Sequence, residues 1–153
     1  MANMNNISRA PVAKQYLVTR NQALRISPSN FTQFMTKNTV YGVVVDMPMT
    51  PGFITTMACY INGASNLYFS NGGDYSGAAQ RYPGVVQAGR VLVANAANYL
   101  EDAEKVTSYP MPASRTHFVY ILTTGGIYKL TFDATSANTN QKQRILMSLY
   151  QRV

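Results

Sequence analysis

The segment Ala64-Ser65-Asn66-Leu67-Tyr68-Phe69-Ser70-Asn71-Gly72-Gly73 constrains the fold more than any other stretch, because it joins a strand pattern to a glycine pair ahead of the longest helical pattern. Leu67, Tyr68 and Phe69 favour a pleated, half-buried strand, and Asn-Gly-Gly ends it. Pro83-Gly84 then leads into an apolar-periodic segment over about 84–105. A helix that follows antiparallel strands in this way has to cross back over the sheet, so the fold class is α+β.

The rest of the chain fits the same plan. Residues 1–10 are polar, rich in Asn and read as a disordered tail, and 11–153 read as one domain, since 153 residues leave no room for a second core. Val12, Tyr16, Leu17 and Leu24 suit a helix ending near Ile26, although Tyr16-Leu17-Val18-Thr19 alone would also suit a strand. Ser29 or Asn30 can cap a short second helix to Lys37, with Phe31, Phe34 and Met35 on one face.

Thr39 to Met47 is β-branched and nearly continuously apolar, the mark of a strand covered on both faces. A second strand is expected over about Phe53 to Ile61, a hairpin at Asn62-Gly63, and a third strand over Asn66 to Ser70. Beyond the helix, His117 to Thr123 and Ile127 to Phe132 pair around Gly125-Gly126. A last helix starts near Thr139, with Ile145, Leu146, Leu149 and Val153 on one side. The sum is five antiparallel strands with helices packed on the faces of the sheet.

Within the 84–105 helix, Val85, Ala88, Leu92, Val93, Ala96, Tyr99, Leu100 and Ala103 share one face. Val86 and Ala97 widen it beyond the ~100° stripe that a single sheet face needs. The surplus calls for a second covering surface, with Val86, Val91 and Ala97 as its candidate residues. The segment from Gly72 to Gly84 reads as a mobile crossover loop, and its Tyr75 and Tyr82 join them as candidate contacts, because exposed tyrosines favour interfaces.

Only 12% of residues are charged, about half the usual share, which also suits a surface partly buried by self-association. The net charge of +7 reflects scarce acids, 6 against 13 bases, more than abundant bases. No acid precedes Asp46, so Arg9, Lys14, Arg20, Arg25 and Lys37 stand unopposed in sequence, and Lys142 with Arg144 forms the densest basic pair. Arg9, Lys14, Arg20, Arg25, Lys142 and Arg144 are therefore the candidate contacts to a polyanion.

Signals for catalysis or cofactors are weak. The single Cys59 excludes an internal disulfide and multi-cysteine metal motifs, and its strand-forming neighbours make it a small buried hydrophobe. His117, the single histidine, has no metal-ligand partners near it in sequence and reads as structural and hydrogen-bonded. Gly72-Gly73-Asp74-Tyr75-Ser76-Gly77 lacks the lysine of a phosphate-binding loop, and Ser76 lacks the glycines of a nucleophile elbow. The acids Glu101, Asp102 and Glu104 read as a solvated helix face. No cofactor and no metal are expected. The absence of a signal-peptide core or of ~18 continuous apolar residues points to a cytoplasmic protein without membrane insertion.

From about Thr39 to Arg152 the order of elements resembles the profilin-like sandwich, and within it the roadblock/dynein light chain type of domain. Leu67-Tyr68-Phe69-Ser70-Asn71-Gly72-Gly73 also looks like a run found in small bacterial proteins of this shape. The resemblance implies a five-stranded sheet, association through the long helix or a sheet edge, and usually no catalysis. The extra hairpin and the proline-rich turns depart from the roadblock pattern. The expected function is a non-enzymatic protein-interaction module that forms homo-oligomers through the 84–105 helix. The alternative is a nucleic-acid or other polyanion binder, and a small-molecule enzyme using Ser76, His117 and the glycine loop comes third.

Overall fold

The computed structural model describes residues 12–34, 39–49, 52–76, 83–113, 115–133, 145–146 and 148–150. Helix α1 (Lys14–Arg25) and a 3-10 helix (Pro28–Phe34) precede strands β1 (Val40–Met49), β2 (Phe53–Tyr60), β3 (Ser65–Phe69) and β4 (Asp74–Ser76). Helix α2 (Pro83–Ala96), a second 3-10 helix (Ala97–Asp102) and strands β5 (Glu104–Val106), β6 (Thr116–Thr123) and β7 (Gly126–Asp133) follow. Residues 145–146 and 148–150 are helical.

All strand pairs are antiparallel, in the order β4-β3-β2-β1-β6-β7-β5. The α+β class and the antiparallel sheet are as expected, but among the described residues the sheet has seven strands rather than five. Both additions are three-residue edge strands in segments that read as something else. Residues 74–76, expected within a loop, extend the meander after the Asn71-Gly72 turn, where Gly72 takes φ +108°. Residues 104–106, the first two expected at the end of the long helix, pair with β7, setting Glu104 opposite Lys129.

The long helix accordingly ends at Ala96. Glu101, Asp102 and Glu104 would have crowded the negative end of a longer helix dipole, and the chain passes into a 3-10 turn and then an extended edge instead. Tyr99 stays in the core from the 3-10 turn, 5% exposed.

Central strand β1 is buried on both faces from Val40 to Asp46, as its continuous apolar pattern requires. One face packs Val43, Val45, Met57, Cys59, Val119 and Ile121 under Leu92, Val93 and Ala96 of α2, with Leu146 and Tyr150 from the C-terminal helical residues. Ile145, expected on that packed side, is exposed, and the buried line is Leu146 with Tyr150. The other face packs Val44, Ala58, Tyr60, Tyr68, Tyr120 and Leu122 under Tyr16, Ala23 and Leu24 of α1 and Phe31 of the 3-10 helix.

A bulge tunes this second face. Between Val40 and Gly42 the β1–β6 register shifts, so Tyr41 is an extra residue and turns its ring toward α1. Gly42 lies on the same side, where a Cβ would meet the Tyr60 ring at 2.8 Å. The missing side chain lets Phe31 stack on both rings, with centroids 5.6 Å from Tyr41 and 5.2 Å from Tyr60.

Candidate functional site

Helix α1 is short for independent stability, and its stripe Tyr16, Arg20, Ala23, Leu24 puts a cation where the periodicity calls for an apolar residue. Its opposite number is Asp46, the one charge in the apolar run of β1. The pair meets face to face under α1, with side chains 5% and 0% exposed. Arg20 Nη2 donates to Asp46 Oδ2 at 2.6 Å, and Nε reaches both carboxylate oxygens at 3.1 and 3.2 Å.

The surroundings complete the network. Thr56, the register partner of Asp46 on β2, donates its hydroxyl to Oδ1 at 2.7 Å. That proton being used, Tyr16 must donate to Thr56 Oγ1, at 2.6 Å. Arg20 also donates to the carbonyls of Tyr109 at 2.8 Å and Pro110 at 3.2 Å, so it ties three parts of the fold together. Burial alone would lower the Arg20 pKa, but the bonds and charge of Asp46 outweigh it and leave it raised. Among the described residues no buried side-chain polar atom lacks a partner.

The end of α1 is held in the same way. Tyr60 and Tyr41 donate their hydroxyls to the Ala23 and Ile26 carbonyls at 3.0 and 2.9 Å, satisfying acceptors that a helix terminus leaves open. The backbone N–H of Ala13 bonds the Ser70 carbonyl at 2.7 Å at the other end.

Beside this network the same side of the sheet carries a strip of rings and cations that reaches solvent. Tyr120 is the buried centre, with Tyr109 at 5.6 Å and Phe118 at 6.2 Å, both edge-on. Lys129 Nζ lies 3.6 Å from the Phe118 ring centroid, and the Arg25 guanidinium lies 5.5 Å over Tyr109. Arg25 is exposed, while Tyr109, Phe118 and Lys129 are half-buried. Partial burial holds the Lys129 pKa below its ordinary value, with the charges of Asp46 and Glu104 acting the other way.

The α2 side has an apolar end. Register places Met49, Phe53 and Phe69 on the face that α2 packs against, yet none of them belongs to either core. Met49 is 47% exposed, and the half-buried Phe53 and Phe69 rings meet edge-on at 6.4 Å. Met47 and Leu67, two positions along β1 and β3 on the same face, pack against the core.

The candidate contact residues separate. Val86 is half-buried against the β2–β3 turn, where a Cβ on Gly63 would meet it at 2.9 Å, so part of the surplus helix face is covered by the chain's own hairpin. Val91 and Ala97 are half-buried, and Ala97 packs on the core. Tyr75 lies on edge strand β4, paired through its backbone with Leu67. Tyr82 lies outside the described residues, as do Arg9, Lys142 and Arg144. Lys14 and Arg25 are exposed on α1. Arg20 is withdrawn as a polyanion contact: a guanidinium this buried, committed to Asp46, has no face left for a phosphate.

His117 is buried, its Nδ1 2.6 Å from the Tyr150 hydroxyl, and burial holds its pKa below the ordinary value. Cys59 is buried beside Ser65 Oγ, and burial pushes its thiol up to about 11. Among the described residues no group of three or more His, Cys, Asp or Glu side chains is placed to hold a metal ion, and no helix is long and apolar enough to cross a membrane.

The Arg20–Asp46 pair escaped sequence reasoning although each partner left a signal, a charge inside an otherwise apolar pattern. Nothing in the spacing joined two residues 26 positions apart. The chain matches no family model, no curated protein and no solved structure.

Proposed function

We propose that the protein is an interaction module that associates with a second copy of itself. The patch of Met49, Phe53 and Phe69 at the end of the sheet carries this reading. The 84–105 helix is a weaker candidate surface, because α2 is shorter than expected and Val86 rests on the Gly63 turn. Exposed Met beside aromatic rings has the composition of an interface centre. The low charge content of the chain supports the same reading, since charge is depleted at such centres.

A stable interface needs about 800 Å² per partner, so the patch would be the centre of a larger contact. Light scattering at concentrations up to a few hundred micromolar is the direct test. The wild-type chain should be dimeric, and Met49→Glu should shift it to monomer while leaving its circular dichroism unchanged, because the side chain is already about half exposed and outside both cores. A monomeric wild type would refute self-association, and a Met49→Glu dimer would refute this surface.

A further inference from the structure

We infer that the strip formed by Arg25, Tyr109, Phe118 and Lys129 is a binding site for single-stranded nucleic acid. The strip lies on the opposite side of the sheet from the Met49 patch and does not depend on self-association.

Two features favour this occupant. The first is the pairing of each of the two cations of the strip, the exposed Arg25 and the half-buried Lys129, with a ring. Arg25 lies over Tyr109 and Lys129 over Phe118, with Tyr120 touching both rings. A guanidinium backed by a tyrosine can stack a base on its outer face while its N–H groups reach a phosphate, and a lysine beside it supplies a point charge for a second phosphate. Rings and cations in one strip are how sequence-tolerant single-strand sites are built.

The second feature is charge. The nearby acid Asp46 is buried and neutralised by Arg20, so it does not repel an incoming phosphate. Glu104, opposite Lys129 on β5, is the acid that faces this end of the strip, and the net charge of +7 draws anions to the molecule as a whole. The Arg20 bonds to the carbonyls of Tyr109 and Pro110 hold the segment carrying the Tyr109 ring, so the strip is built before a ligand arrives.

The test uses the full chain and 5′-labelled dT12 and U12 in fluorescence anisotropy titrations between 50 and 200 mM NaCl. Both oligomers should bind at 50 mM salt. Arg25→Gln/Lys129→Gln should weaken binding at least tenfold and reduce the slope of log K against log salt by about 1.4, at roughly 0.7 per phosphate contact on a single strand. Lys14→Gln, elsewhere on α1, should change affinity less than twofold.

Tyr109→Leu should weaken binding about tenfold or more without changing the salt slope, which separates stacking from charge. If the double variant fails to fold by circular dichroism, Arg25→Gln alone should still lower the slope by about 0.7. Absence of binding at 50 mM salt would overturn the proposal, as would an equal loss in Lys14→Gln. Equal or tighter binding of a twelve-residue polyglutamate, lost in the same double variant, would overturn it in favour of an acidic peptide. A preference between dT12 and U12 would identify DNA or RNA as the ligand.

Discussion

Replacing Asp46 by Asn leaves shape and volume unchanged but removes the charge that faces Arg20. The guanidinium then stays under α1, with a side chain 5% exposed and the Tyr109 and Pro110 carbonyls as its remaining strong acceptors. Breaking one side of a buried pair costs ~3–5 kcal/mol, against total stabilities of about 5–15 kcal/mol for domains in general. For a chain of this length that corresponds to a fall in melting temperature of roughly 6–20 °C.

Urea denaturation of Asp46→Asn should therefore show a large drop in midpoint with little change in slope. The double variant Arg20→Met/Asp46→Leu should recover part of the loss, because an apolar pair leaves no buried charge unpaired, while the Thr56 hydroxyl and the Tyr109 and Pro110 carbonyls still lose a partner. High salt should not mimic the substitution, since a pair this buried is screened far less than an exposed one. A single-variant cost below about 1 kcal/mol, the value of a surface ion pair, would refute a buried and interdependent pair. So would a double variant as unstable as the sum of the two singles.

Three further outcomes follow from the geometry. Gly42→Ala should cost about 1–3 kcal/mol in denaturant unfolding, because its Cβ would press on the Tyr60 ring at 2.8 Å in a packed core. Burial lowers the His117 pKa in the folded state, so the unfolded chain binds the extra proton, and this contribution to stability is lost as pH falls below about 6.5. His117→Gln should therefore flatten the stability difference between pH 7.5 and pH 5.5, measured by denaturation midpoints. Cys59, with its thiol pushed up to about 11, should resist a disulfide exchange reagent in the native chain at pH 7.5 and react fully once unfolded.

Much of the fold was legible because it rests on local pattern. The nearly continuous apolar run of β1 announced a strand covered on both faces, and Asn62-Gly63 and Gly125-Gly126 marked hairpins that the register confirms. Pairing without a strong local pattern was not legible. Residues 74–76 and 104–106 become strands because a neighbouring edge offers them hydrogen bonds, and a three-residue segment carries too little periodicity to show this beforehand. The long helix ends before its pattern does, since apolar spacing continues past Ala96 although the α-helical backbone does not.

Of the candidate sites, the sequence showed an excess of cations and a surplus of apolar helix surface. It could not show that Arg20 is spent on Asp46 while Arg25 and Lys129 settle on rings, or that Val86 rests on the Gly63 turn. By itself it determined the order of the longer helices and the five longer strands, because period and turn chemistry act within a few residues along the chain. The tertiary structure alone decided which charges are buried and which rings meet. Those outcomes depend on desolvation and contact between residues tens of positions apart, and only the packed sheet brings them together.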